Sequence, residues 1–140
     1  MDKKDVIISL KGTQDDGNGK DEIELVTEGR YYKKNGSYFV SYKETELTGM
    51  EGTTTTLKIE GNKVTMLRFG ATNTQLIFEK GIRHMCCYET EFGAFTVGVR
   101  SKRVDVDISD SGGKISAQYQ LEVDNAAIGV NDFYMQIREC

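Results

Sequence analysis

Residues 45–70 read TELTGMEGTTTTLKIEGNKVTMLRFG, and this stretch decides the fold. From Thr53 to Glu60 the chain alternates, with Leu57 and Ile59 on the face opposite Lys58 and Glu60. Such alternation marks a strand with one buried face. Gly61-Asn62 turns the chain, and Lys63 to Phe69 returns. On that return Val64, Met66 and Arg68 share one side, while Thr65, Leu67 and Phe69 share the other. Both sides carry large groups, so alternation alone leaves the inner face of this strand open. Ahead of the pair lie a bend at Gly49 and Gly52 and the threonine run Thr53 to Thr56. A threonine run suits a β-branched strand with one exposed face better than a row of hydroxyls presented to a ligand.

Working outward, glycine punctuates short β-branched and aromatic runs on both sides. Upstream, Val6 to Lys11 is a strand, and Asp21 to Lys33 is a longer one bent at Gly29. Asn35-Gly36 is a hairpin signal, because a type I′ turn needs positive φ at both central residues. Ser37 to Glu44 returns with Tyr38, Val40 and Tyr42 on one face. Downstream, the pattern predicts strands at Gln75 to Phe78, Arg83 to Glu89 and Phe92 to Ser101, the last with a bulge or close backbone approach at Gly98. Arg103 to Ser109, Lys114 to Val123 and Asp132 to Glu139 follow, and residues 124–130 have room for one helical turn at most. No window reads with helical period. About eight to eleven antiparallel strands in a continuous meander favour closure into a barrel, which removes exposed edges. The expectation is one all-β domain over residues 1–140, a single antiparallel β-barrel.

Composition narrows the function class. A net charge of −4 argues against nucleic acid or an anionic membrane as the main partner. The N-terminus lacks a signal-like apolar stretch, and no apolar run has spanning length, so a cytoplasmic protein is expected. Three cysteines, two of them adjacent, make a poor disulfide framework, so free thiols in a reducing compartment are expected. There is no proline, so every turn falls to glycine, asparagine, aspartate or serine.

Catalysis has few places to sit. His84 is the only histidine, and Cys86 lies on the same strand face too far along for an easy thiolate–imidazole hydrogen bond. The loop Asp15 to Glu22 places Lys20 where a calcium ligand belongs. No metal, no cofactor and no enzymatic role are expected. Seven tyrosines suit a core whose hydroxyls reach partners, or a pocket lining.

Tyr42-x-Glu44, Thr56, Arg68-Phe69-Gly70, Phe78, Tyr88-x-Thr90 with Gly93, Gly113 and Tyr119 together resemble the YwiB-like family of bacterial proteins. That is a domain-of-unknown-function family placed among the calycin-type β-barrels, and the resemblance covers nearly the whole chain. It implies a lipocalin-like barrel with an interior cavity and no assigned activity. The chain has no tryptophan, so the Gly-x-Trp signature of secreted lipocalins is absent. If Val64 and Met66 face inward, Arg68 does too, and an inward guanidinium needs a carboxylate, carbonyls or a bound anion. Glu44 and Glu89 end strands that carry the resemblance and are the expected carboxylates. Arg68, Tyr42, Glu44, Tyr88 and Tyr119 are thus the expected ligand-binding set. The function expected is interior binding of a small apolar or amphipathic molecule. The alternative is a structural or protein-interaction domain with a side-chain-filled barrel.

Overall fold

In the computed structural model each strand pairs with its sequence neighbours, and the first pairs with the last. The structure describes residues 2–15, 17, 19–45, 51–70, 73–90, 93–123 and 126–140. The strands are β1 (Lys4–Asp15), β2 (Lys20–Lys34), β3 (Ser37–Lys43), β4 (Thr53–Glu60) and β5 (Lys63–Gly70). They continue as β6 (Asn73–Phe78), β7 (Arg83–Thr90), β8 (Gly93–Ser109), β9 (Gly112–Val123) and β10 (Ala126–Glu139). All pair antiparallel around a closed barrel, with a seam that joins β1 to β10 through Val6 opposite Glu139. Among the described residues there is no helix.

Strand direction gives the barrel two ends. At the turn end lie the tight connections β2–β3, β4–β5 and β8–β9, the 79–82 connection and both chain termini. At the loop end lie the other five connections, which contain residues 16, 18, 46–50, 71–72, 91–92 and 124–125, outside the described residues. The bend read at Gly49 and two positions of the calcium-like loop lie outside the described residues.

Local chemistry explains the tight turns. Asn35 (φ 53°) and Gly36 (φ 83°) both take the left-handed conformation expected for the β2–β3 hairpin. Gly112 and Gly113, at φ 121° and 146°, begin β9 inside the barrel wall. A Cβ on Gly113 would sit 2.1 Å from the Asp107 carbonyl oxygen, so only glycine lets β8 and β9 approach there.

Three expectations need correction. The segments read as separate strands before and after residue 102 are one strand, β8. The register shift lies between Ser101 and Arg103, not at Gly98, which stays paired with Met85 and Glu122. The extra residue at the shift changes the alternation, so Val97, Val99 and Ser101 are buried before it and Val104 after it. Gly98 answers to crowding instead, since a Cβ there would meet the Arg83 guanidinium at 3.1 Å. Residues 126–130, where a helical turn had room, are strand.

The inner face at the turn end is apolar. Val6, Ile8, Tyr31, Val40, Leu57, Phe78, Ile115 and Met135 are fully buried. Burying one large apolar side chain stabilises by about 1.5–3 kcal/mol, so this half carries much of the folding energy. Tyr31 stacks on Tyr38 at 5.3 Å and donates its hydroxyl to the Ser109 carbonyl at 2.8 Å. Tyr38 donates to Asp110 Oδ1, and Lys4 Nζ donates to the Asp110 carbonyl at 2.6 Å. The outer face carries exposed ion pairs such as Arg30–Asp5 and Lys11–Glu22.

Candidate functional site: a polar barrel interior

Register sets the site. Thr55 lies opposite Arg68, Arg68 opposite Thr74, and Thr74 opposite Tyr88, which makes one row across β4 to β7. On the other side of the barrel, Ser101 lies opposite Tyr119 and Tyr119 opposite Asn131, a row across β8 to β10. Tyr42 lies opposite Thr55. Alternation from buried Val64 and Met66 carries Arg68 inward, so the inner face of β5 is the Val64–Met66–Arg68 side.

Arg68 and Glu44 meet inside. The Arg68 Nε lies 4.0 Å from Glu44 Oε1, with side-chain exposures of 17% and 1%. Glu44 Oε1 accepts from Thr55 Oγ1 at 2.6 Å. The Glu44 amide donates to the Thr53 carbonyl at 2.8 Å, which fixes the chain as it leaves β3. Glu89, the other expected carboxylate, is exposed and paired across β6–β7 with Asn73. One residue beyond inward Tyr88, it points out of the barrel, and Glu44 alone holds that role among the described residues.

The tyrosines report the same electrostatics. Burial pushes the Tyr42 phenol well above its ordinary range, the Glu44 charge pushes the same way, and Arg68 opposes. Burial also raises Tyr119, again with Arg68 opposing, so the guanidinium is felt on both walls. The Tyr119 ring packs against Phe78 at 4.6 Å. Tyr42, Glu44, Arg68 and Tyr119 are therefore brought together as expected. Tyr88 is half-buried in the row beside Thr74.

Among the described residues, six buried side-chain atoms in this region have no hydrogen-bond partner. They are Glu44 Oε2, Thr53 Oγ1, Arg68 Nε, Thr74 Oγ1, Ser101 Oγ and Asn131 Nδ2. Each buried polar group left unpaired costs about 1–3 kcal/mol, so a natural fold holds few of them. Here they run from the loop end to the barrel's middle, and none lies in the apolar half. The sequence expectation missed Thr74, Ser101 and Asn131 as site residues and read the threonine run as an ordinary strand. Thr53 and Thr55 are buried on the inner face. Their signal was parity: Thr74 alternates with Leu76 and Phe78, and Asn131 with Phe133 and Met135.

Elsewhere, His84 Nε2 lies 3.0 Å from Glu79 Oε1, and the Cys86 thiol is directed to the His84 carbonyl at 3.9 Å, not to its ring. No group of metal-ligating side chains forms among the described residues. A groove of about 520 Å³ beside the 79–82 connection is lined by Lys80, Arg100, Lys102 and Gln118 and reaches Ser101 and Tyr119.

Comparison with known proteins agrees with this architecture. The uncharacterized beta-barrel protein YwiB of Bacillus subtilis (strain 168) is 30% identical over 110 residues, 79% of this chain and 75% of that protein. The crystal structure of the ywiB protein from Bacillus subtilis superposes with a TM-score of 0.87 at 22% identity, covering 99% of this chain and 93% of that one. The family described as domain of unknown function DUF1934 matches residues 8–135, nearly the whole barrel. The chain belongs to the DUF1934 family, as a closed ten-stranded member.

Proposed function

We propose that the barrel binds a small amphipathic molecule in its interior, with the polar part among Arg68, Glu44 and their neighbours. The observation that carries this is the set of six unpartnered buried polar atoms in one half of the interior. A fold that served only to pack would place methyl groups at such positions, as its other half does. Strand number supports it as well. Eight strands make a barrel that side chains just fill or that holds one small ligand, and this one has ten. Apolar side chains of the inward rows, Ile23 and Phe95, are 41% and 48% exposed towards the loop end, which suits the apolar part of a guest.

The role is binding without catalysis. His84 is engaged by Glu79, and burial raises the Cys86 thiol, which makes it a poor nucleophile. The charged outer face supports a barrel that sits in water, and the exposed thiols of Cys87 and Cys140 support a reducing compartment. The rival, a structural barrel whose polar end is satisfied by buried water, draws on the filled apolar half. Native mass spectrometry of the freshly purified full chain, with uptake of a hydrophobic dye as a second readout, separates the two. Binding predicts a population with adducts and saturable dye uptake. A clean apo mass with no uptake leaves the rival standing.

A further inference from the structure

Building on the interior-binding reading, the chemistry of the unpartnered atoms limits what head group fits. Arg68 Nε and Asn131 Nδ2 only donate, and the carboxylate oxygen Glu44 Oε2 only accepts. The hydroxyls of Thr53, Thr74 and Ser101 do either. The one guanidinium and the one carboxylate lie 4.0 Å apart, beyond the roughly 2.7–3.2 Å of a hydrogen bond. Their charges therefore offset each other, while Arg68 Nε and Glu44 Oε2 stay without a hydrogen bond.

We infer that the site takes a head group of no net charge that both donates and accepts, such as a carboxamide or a polyol, and selects against carboxylates and phosphates. An anion drawn to Arg68 comes to rest beside Glu44, whose side chain is 1% exposed. Attraction and repulsion then act over similar distances, and the anion gives up its hydration for little return. A cation drawn to Glu44 meets the mirror problem at Arg68. A neutral donor–acceptor group accepts from Arg68 and Asn131, donates to Glu44, and leaves the three hydroxyls to adapt. Tyr42 and Tyr119, whose phenols burial keeps protonated, add no charge to the balance.

The test is a titration of the full chain with decanamide, decanoate and decylammonium, amphiphiles of one chain length and three head-group charges. Displacement of a bound hydrophobic dye is the readout. Decanamide is expected to bind at least about tenfold tighter than either ion. Glu44→Gln removes the negative charge, so decanoate should gain about tenfold relative to decanamide. Arg68→Met should favour decylammonium in the same way, which keeps the test available if one variant fails to fold. Decanoate that binds wild type as well as decanamide does, or that gains nothing from Glu44→Gln, overturns the neutral-head-group inference and leaves interior binding intact. Failure of wild type to take up any of the three overturns both.

Discussion

The two halves of one barrel interior follow opposite rules. Towards the turn end, Tyr31, Phe78, Ile8 and Met135 are fully buried, and the fully buried phenol there, Tyr31, has its hydroxyl bonded to the Ser109 carbonyl. Towards the loop end, Glu44, Thr53, Thr74 and Asn131 are buried to a similar degree and leave polar atoms unpaired. The same strands supply both halves: β5 runs from Val64 to Arg68, and β6 from Phe78 back to Thr74. Stability and recognition are thus divided along each strand, not between separate elements, and a substitution a few residues along one strand should change which property it affects.

The largest effect belongs to the apolar half. Phe78→Ala removes a fully buried ring that packs on Tyr119, and should destabilise by about 3–5 kcal/mol in urea unfolding. A loss under about 1 kcal/mol would mean that this half is no better packed than the other. Next comes Arg68→Met, which strands the Glu44 carboxylate inside the barrel. Removing one partner of a buried pair typically costs about 3–5 kcal/mol, and the partial exposure of Arg68 places the expected loss near 3. The double variant Arg68→Met with Glu44→Gln should recover most of that, and a double variant as unstable as the single would show that the charges are not coupled.

Thr74→Val inverts the usual sign. It replaces an unbonded buried hydroxyl with a methyl group of the same shape, so stability should rise by about 1 kcal/mol while uptake of a polar-headed guest weakens. A stability loss there would place a protein or solvent partner on the hydroxyl and blur the contrast between the halves. The smallest effect concerns the latch at the turn end. The Tyr38 hydrogen bond, helped by the charges of Lys33 and Lys4, holds the Asp110 carboxyl below its ordinary range. A carboxyl depressed by folding contributes stability above its unfolded pKa, near 3.9, and loses it as pH falls through the folded value. Asp110→Asn should therefore lower the melting temperature slightly at neutral pH and leave strongly acid pH nearly unchanged, which flattens the acid side of the profile.

Much of this was legible in residue order. The β4 strand was read with its observed bounds, Thr53–Glu60, because period-2 alternation and flanking glycines agree there. Asn35-Gly36 gave its turn for the same reason. That Arg68 shares a side with Val64 and Met66 followed from counting, but large groups on both sides of β5 left its inner face open, and the choice between Glu44 and Glu89 was open as well. That choice depends on which side of a strand end each carboxylate emerges, and strand ends are where alternation has the fewest neighbours to fix it. The β8 shift was invisible because a bulge at Lys102 looks, in sequence, like a break between two strands. Thr74, Ser101 and Asn131 escaped because an inward polar residue mimics an outward one unless parity is carried through from the apolar part of the strand.

The seam between β1 and β10 bears on how the chain reaches this structure. A strand near the start, Lys4–Asp15, has one edge that Lys20–Lys34 can cover early, and another that only Ala126–Glu139 can cover. Ten matched pairs, from Val6 with Glu139 to Asp15 with Val130, wait for the last strand. During synthesis on the ribosome the growing meander carries an unpaired edge until Ala126–Glu139 has emerged. Closing it joins residues more than a hundred positions apart, the slowest kind of contact to form. Folding of this barrel is therefore expected to be slow and late, with closure of the seam as its final committed step.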